Sequence, residues 1–308
     1  MRFLRNLVIP KIFDFHNRDI FYRKNELSHM IKNCILTSWY KGVYLWNSSN
    51  NNLTNNILNS NAEGIYLAYS SGNLLIENNV NSISNGFGIY LWMSSNNTIL
   101  NNTANSHTHG GGIHLEGSSY NLIANSTANS NWDGIYLCGH SNFNKISNNG
   151  ISNNNNRGIV LSNWCGLIYA DPFIYEGENT GNEISNNNIS NNKRWGIYST
   201  ASNSTINSNI VCGNTDSDFS SSDWLSSSGG NNICSKPDLW NDTGTIGCTL
   251  TCQQYLCDLN HDGIYLQNWN DLMSDYRCFL GVNVNCNSIN PQDWNSMKRE
   301  YDCFAGNY

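Results

Sequence analysis

Apolar residues return along this chain on a fixed schedule. A phrase of the form Gly-apolar-aromatic-Leu begins at Gly42, Gly64, Gly88, Gly112, Gly134 and Gly158, and imperfectly at Gly196. The first five steps are 22, 24, 24, 22 and 24 residues; the last is 38, which places an insertion in one coil, around "WCGLIYADPFIYEGENTG". Within each phrase the period is two. Val43, Ile65, Ile89, Ile113, Ile135, Ile159 and Ile197 share one column, and Leu45, Leu67, Leu91, Leu115, Leu137 and Leu161 the column two residues on. Alternation sends both columns to one side of a strand, here inward. Eleven residues after the glycine a second apolar column appears, at Leu53, Leu75, Ile99 and Ile123. Short strands repeated at this period predict an all-β solenoid, a right-handed parallel β-helix of about seven coils of 22–24 residues.

The polar half of each phrase has a structural job in such a fold. Asn51, Asn73, Asn97 and Asn121 form one column, Asn56, Asn78 and Asn102 another, and Asn59, Asn81, Asn105 and Asn129 a third. Asparagine tolerates left-handed backbone angles at corners, and its amide can bond to the same amide one coil away.

Composition sharpens the setting. Of 308 residues only 13% are charged, with a net charge of −7, so nucleic acid is not an expected partner. Eleven cysteines, together with sequons at Asn47, Asn52, Asn96, Asn101, Asn125, Asn188, Asn203 and Asn241, favour an oxidising, extracellular or cell-surface location with N-glycosylation. Eleven is odd, so one thiol is left over, with Cys34 the candidate; Cys212 with Cys234, and Cys257 and Cys286 with Cys278 and Cys303, are the pairings considered. The basic residues 1–33 read as an N-terminal segment or cap. "FLRNLVIPKIF" is broken by Arg5 and Lys11, so no signal peptide is visible and a start upstream of Met1 is favoured. No stretch is apolar for long enough to span a membrane.

The repeats "GIYLWMSSNNTILNN", "GIHLEGSSYNLIANS" and "GIYLAYSSGNLLIENN" resemble the parallel β-helix (PbH1-type) repeats of the NosD-like and carbohydrate-binding/sugar-hydrolase group. The resemblance covers residues 34–210 and implies the fold. Its members include lyases, hydrolases, epimerases, adhesins and structural proteins, so it leaves activity open.

The residues between the inward columns must face outward: Tyr44, Tyr66, Tyr90, His114, Tyr136, Val160 and Tyr198, with Trp46 and Trp92 two residues further on. A strip of rings suits sugar faces, although rings that stack across coils serve the scaffold alone. His107, His109, His114 and Glu116 fall in "HTHGGGIHLEG", and His114 with Glu116 share the outward face at i, i+2, where they suit acid–base work or a transition metal. Asp133 aligns with Arg157 as an ion pair. No column holds two adjacent carboxylates, which weighs against glycosidic hydrolysis.

Residues 211–257 read as a Cys/Ser-rich connector. Beyond it, "DLNHDGIYLQNWNDLMSDYRCFLG" aligns without gaps to "NVNCNSINPQDWNSMKREYDCFAG" at an offset of 25, as two loop–helix units over 258–308. Asp258, Asn260 and Asp262 stand at alternate positions before Gly263, the spacing that converges oxygens on calcium. Trp269 replaces the expected acidic residue, with Asn268 and Asp271 beside it; Asn283, Asn285, Asn287 and Asp293 would serve the second loop. The duplication resembles a dockerin, implying calcium and a cohesin-like or self-association partner.

Three functions are compatible with these features. The first is an extracellular structural or adhesive rod contacting polysaccharide or cell-envelope glycan, tethered through the calcium module. The second is a lyase or epimerase on a uronic-acid polymer, with its site at His114, Glu116 and Tyr136. The third is a NosD-like periplasmic accessory to copper-enzyme maturation, for which His107 and His109 would be the copper ligands. The first is preferred on sequence.

Overall fold

The computed structural model describes residues 20–23, 29–38, 40–81, 86–165, 177–221, 224 and 226–252. The chain divides into two compact units, Met1–Thr249 and Leu250–Tyr308. The dockerin-like duplication, all nine expected calcium ligands and the cysteines from Cys257 onward lie outside the described residues.

Every element among the described residues is a strand, wound into a parallel β-helix of about eight turns. One face is a nine-stranded sheet that begins with Ile20–Arg23 and Lys41–Trp46 and ends with Ser217–Ser221. A second face has eight strands, and the third is split into runs of three and four. Single bridges Thr103↔Thr127 and Thr127↔Gly150 span that break. The ladder therefore extends beyond both boundaries expected from the sequence. Ile20–Arg23 and Met30–Lys32 pair into the sheets from within the segment read as a cap. At the other end, Ser217–Ser221 and Ile233–Cys234 continue the coils into the stretch read as a connector.

Register follows the glycine phrase. Ile89, Ile113 and Ile135 are consecutive partners, as are Leu91, Leu115 and Leu137, and all six are fully buried. The column Leu53, Leu75, Ile99 and Ile123 lines the second sheet. All pairings across the long step jump by 38 residues, for example Ile159↔Ile197 and Ile146↔Ile184, so the insertion falls between Ser162 and Glu183. The glycine is required by crowding. A Cβ on Gly112 would stand 2.6 Å from Asn131 Nδ2, 2.8 Å from the Ala104 carbonyl and 2.9 Å from that of Gly134.

Two of the three expected asparagine columns are side-chain ladders. Asn51 Nδ2 donates to Asn73 Oδ1 at 2.9 Å, Asn73 to Asn97 at 3.0 Å and Asn97 to Asn121 at 3.1 Å. Asn56, Asn78 and Asn102 repeat the arrangement, at 2.9 and 3.0 Å. In the third column the amide oxygens of Asn81 and Asn105 accept instead from backbone N–H groups of the adjoining coil, those of Asn105 and Asn129. The left-handed angles are not on the ladder residues but on the residue before each: Asn50 (φ 61°), Asn55 (54°), Asn96 (58°) and Asn101 (56°).

The coils end on carboxylates and indoles. Asp242 accepts from Asn232 Nδ2, Trp240 Nε1 and Thr249 Oγ1. Asp218 accepts from Asn214 Nδ2 and the backbone of Ser235 and Lys236. Trp240 stacks on Phe219 at 5.3 Å and meets Trp224 edge-on at 5.0 Å. Cys234 pairs with Cys248, not with Cys212. The register explains this: Val211, not Cys212, lies opposite Cys234, so the two cysteines face opposite sides of their sheet. Cys212 is disulfide-bonded as well. Cys34 is a buried thiol whose Sγ lies 3.5 Å from the Lys32 carbonyl oxygen it donates to. Seven of the eight sequon asparagines are exposed; Asn52 is half-buried.

Candidate functional site

The outward column of the nine-stranded sheet is where the chemistry-bearing side chains collect, because in-register parallel pairing stacks equivalent residues one above another. Strand Gly111–Glu116 sits between Ile89–Trp92 and Asp133–Cys138. This sets His114 between Tyr90 and Tyr136, and Glu116 between Trp92 and Cys138.

The rings pack on one another. Tyr44 and Tyr66 stack at 5.0 Å, Tyr66 and Tyr90 at 4.7 Å, and His114 and Tyr136 at 5.0 Å with an interplanar angle of 4°. Lys41 Nζ lies 4.2 Å from the centre of the Tyr66 ring and pairs with Glu63. Tyr198 stacks on Trp195, and Arg157 lies 5.3 Å from the Tyr136 ring and 5.5 Å from that of Tyr198. Arg157 is held by Asp133 through two bonds of 2.9 Å, the ion pair expected from the alignment. Ring faces spent on each other are not presented to a ligand along most of the strip. The exception is a group that the sequence reading found only in part: Trp46, Tyr69 and Trp92, with centroid separations of 5.3, 4.8 and 6.2 Å. Tyr69 belongs to no repeating column; it sits at a left-handed corner (φ 51°) and is exposed.

His114 is not a surface residue. It is 4% exposed, with Phe87 packed over it at 4.3 Å. Burial lowers its pKa from 6.5 to about 3, so the ring is neutral at ordinary pH. Its Nδ1 has no hydrogen-bond partner, and its Nε2 lies 3.7 Å from Cys138 Sγ and 4.0 Å from Glu116 Oε2. Tyr90 donates its hydroxyl to Glu116 Oε2 at 2.6 Å. Burial, then the neighbouring Glu116 charge, hold the Tyr90 phenol well above its usual range, so it acts as a donor.

The third member was not anticipated. Cys138, directly across the ladder from Glu116, forms a disulfide with Cys165 at the start of the coil insertion, and Tyr136 donates to the Trp164 carbonyl at 3.2 Å. The ligand atoms of His114, Glu116 and Cys138 all fall within 4.8 Å of one another, the one such cluster among the described residues. No sequence signal marks it, because Cys138 becomes a neighbour only through the coil period. His107 and His109 do not join it. His107 is fully buried at an inner corner, its Nε2 3.1 Å from the Val80 carbonyl, where other coils place asparagine; His109 is exposed. They point to opposite sides of the wall, which corrects their pairing as copper ligands.

A sequence model of one family, described as periplasmic copper-binding protein (NosD), matches residues 6–169, just over half the chain. No curated protein matches. Among solved structures, a mutant of the periplasmic alginate epimerase AlgG superposes with a TM-score of 0.60 at 18% identity, over 70% of this chain and 54% of that one. The A-module of the mannuronan C-5 epimerase AlgE6 of Azotobacter vinelandii gives 0.59 at 12% identity, over 69% and 59%. At these identities the likeness is one of fold, and the chain spans little more than half the length of either structure.

Proposed function

Since the chain belongs to the NosD family of periplasmic copper-binding proteins, we propose that it handles copper in an oxidising, extracytoplasmic compartment, as an accessory protein rather than a display rod. The observation that carries this reading is the cluster of His114, Glu116 and Cys138, which lies inside the family-matched residues. The donor types suit copper: an imidazole whose Nε2 faces the other two groups, a carboxylate and, once its disulfide opens, a cysteine sulfur. Tyr90 fixes Glu116 by donating to its Oε2, a supporting bond of the kind found around bound ions. The disulfides Cys138–Cys165 and Cys234–Cys248 support the compartment. No helix among the described residues is long and apolar enough to cross a membrane.

Acid–base turnover of a uronate polymer has less behind it, because His114 is sealed beneath Phe87 and Arg157 is neutralised by Asp133. Glycan contact keeps one specific support, the Trp46, Tyr69 and Trp92 rings, whose amphipathic faces suit a sugar. The test of the main reading is equilibrium dialysis of the whole chain, oxidised and reduced, against copper(I), copper(II), zinc and calcium. Retention of copper at or near the cluster is expected in at least one redox state. Failure to retain copper in either state overturns the reading. Sedimentation with alginate and other polysaccharides, wild type against Trp92→Ala, tests the second.

A further inference from the structure

The cluster holds a contradiction that points to its regulation. Its softest donor, Cys138 Sγ, is bonded to Cys165, and a disulfide sulfur is a poor ligand compared with a thiolate. In this state the cluster offers a cation only one nitrogen and one carboxylate. Yet for the imidazole and the sulfur the spacing is already that of two donors on one ion. A tetrahedral ion with sulfur at ~2.3 Å and nitrogen at ~2.1 Å holds those two donors about 3.6 Å apart, and here Nε2 and Sγ are 3.7 Å apart.

Resting on the copper-handling reading, we propose that the Cys138–Cys165 disulfide is a redox gate on this site: its reduction creates a three-ligand site for copper(I) made of Cys138 thiolate, His114 and Glu116. A dithiol reductant supplies the two electrons. The S–S bond breaks, Cys138 and Cys165 become thiols, and the reductant leaves as its own disulfide. On metal binding the Cys138 thiol releases its proton to solvent. Reoxidation requires both sulfurs, so occupied Cys138 is protected from it.

The geometry supports a gate in a second way. Cys165 packs in a small apolar group with Tyr136, Cys138, Val160 and Tyr198, and Tyr136 in turn stacks on His114. The one bond therefore blocks the sulfur and fastens the Trp164–Cys165 segment beside Tyr136, whose hydroxyl donates to the Trp164 carbonyl. Glu116, at 16% side-chain exposure, is the ligand nearest solvent and the side from which an ion enters. Reduction leaves the strand ladder intact, since Glu116↔Cys138 pairing is backbone-borne.

The experiment is an anaerobic competition titration of the full chain with copper(I) against a chromophoric chelator, following thiolate-to-copper charge-transfer absorption. Cys165→Ser leaves Cys138 as a thiol while Cys234–Cys248 stays oxidised. Wild type reduced by a dithiol and then freed of it provides the comparison that needs no substitution. A single tight equivalent with the charge-transfer band is expected for Cys165→Ser, an equivalent that Cys138→Ser removes is expected for reduced wild type, whose other disulfides open as well, and neither is expected for oxidised wild type. In the Cys165→Ser background, His114→Gln is expected to weaken binding by at least about tenfold. Equal binding with and without the disulfide overturns the gate but leaves the copper-handling reading standing. Absence of copper binding in every form overturns both.

Discussion

At the scale of single residues, neighbouring asparagines do different work. Asn97 accepts from Asn73 Nδ2 and the Asn73 backbone N–H, and donates to Asn121, all in the buried wall. Asn96, one residue earlier, is exposed and holds φ at 58°. Asn97→Gly should therefore cost about 2–3 kcal/mol, because it strands buried partners on both neighbouring coils. Asn96→Gly should change stability by less than about 0.5 kcal/mol, since glycine adopts that angle without strain. Chemical denaturation of the two variants separates the roles. Gly112→Ala should cost about 1–3 kcal/mol by overpacking against two carbonyl oxygens that belong to the wall itself. His114 makes a prediction about acid. Its folded pKa of about 3 lies below the unfolded 6.5, so the unfolded chain binds the proton first and stability falls as pH drops through that window. In metal-free protein, His114→Gln should lose less melting temperature between pH 7 and pH 4 than wild type does.

At the scale of the element, what was legible in the sequence was whatever repeats. The columns at Ile113 and Leu115 could be read because a period of two and a period of 22–24 residues coincide, and the coil insertion because it breaks the second without touching the first. A further ladder escaped notice. Asn131, Asn154, Asn192 and Asn214 bond in sequence on the third corner, but His107 and Gly-rich residues interrupt the pattern there. The candidate site was half legible. His114 and Glu116 are two apart on one strand, so alternation alone joins them. Cys138 and Cys165 could not be joined to them from spacing, because 27 residues of separation gives no hint that one cysteine lies across a ladder and the other on an insertion. Exposure was also misjudged: alternation says which side of the sheet a residue faces, not that Phe87 closes over it. Tyr90→Phe, which removes the donor to Glu116, should leave the fold intact and weaken copper(I) binding by about 10–100-fold in the reduced protein.

At the scale of the whole molecule, each coil rests only on its neighbours, so stability depends on how the ends are closed. The C-terminal closure of the solenoid is explicit: Asp218 and Asp242 take the final donors of two ladders, Trp240 covers the last core layer, and Cys234–Cys248 fastens it. Trp240→Ala should cost about 3–5 kcal/mol, and removing that short-range disulfide about 3 kcal/mol. Hydrogen exchange should then report loss of protection beginning in the last coils and not throughout. The dockerin-like reading of 258–308 stands as a separate proposal: calcium should protect that segment from proteolysis in wild type, and Asp258→Ala should reduce the protection. Neither effect should alter copper binding, because the family match and the cluster both lie N-terminal to it. Copper handling rests on that cluster. X-ray absorption at the copper edge, on the Cys165→Ser full chain loaded with one equivalent of copper(I), tests it most directly. A low-coordinate copper(I) with one sulfur and one or two nitrogen or oxygen neighbours, the sulfur lost in Cys138→Ser, is the predicted result. A copper environment of nitrogen and oxygen alone, unchanged by Cys138→Ser, would contradict it.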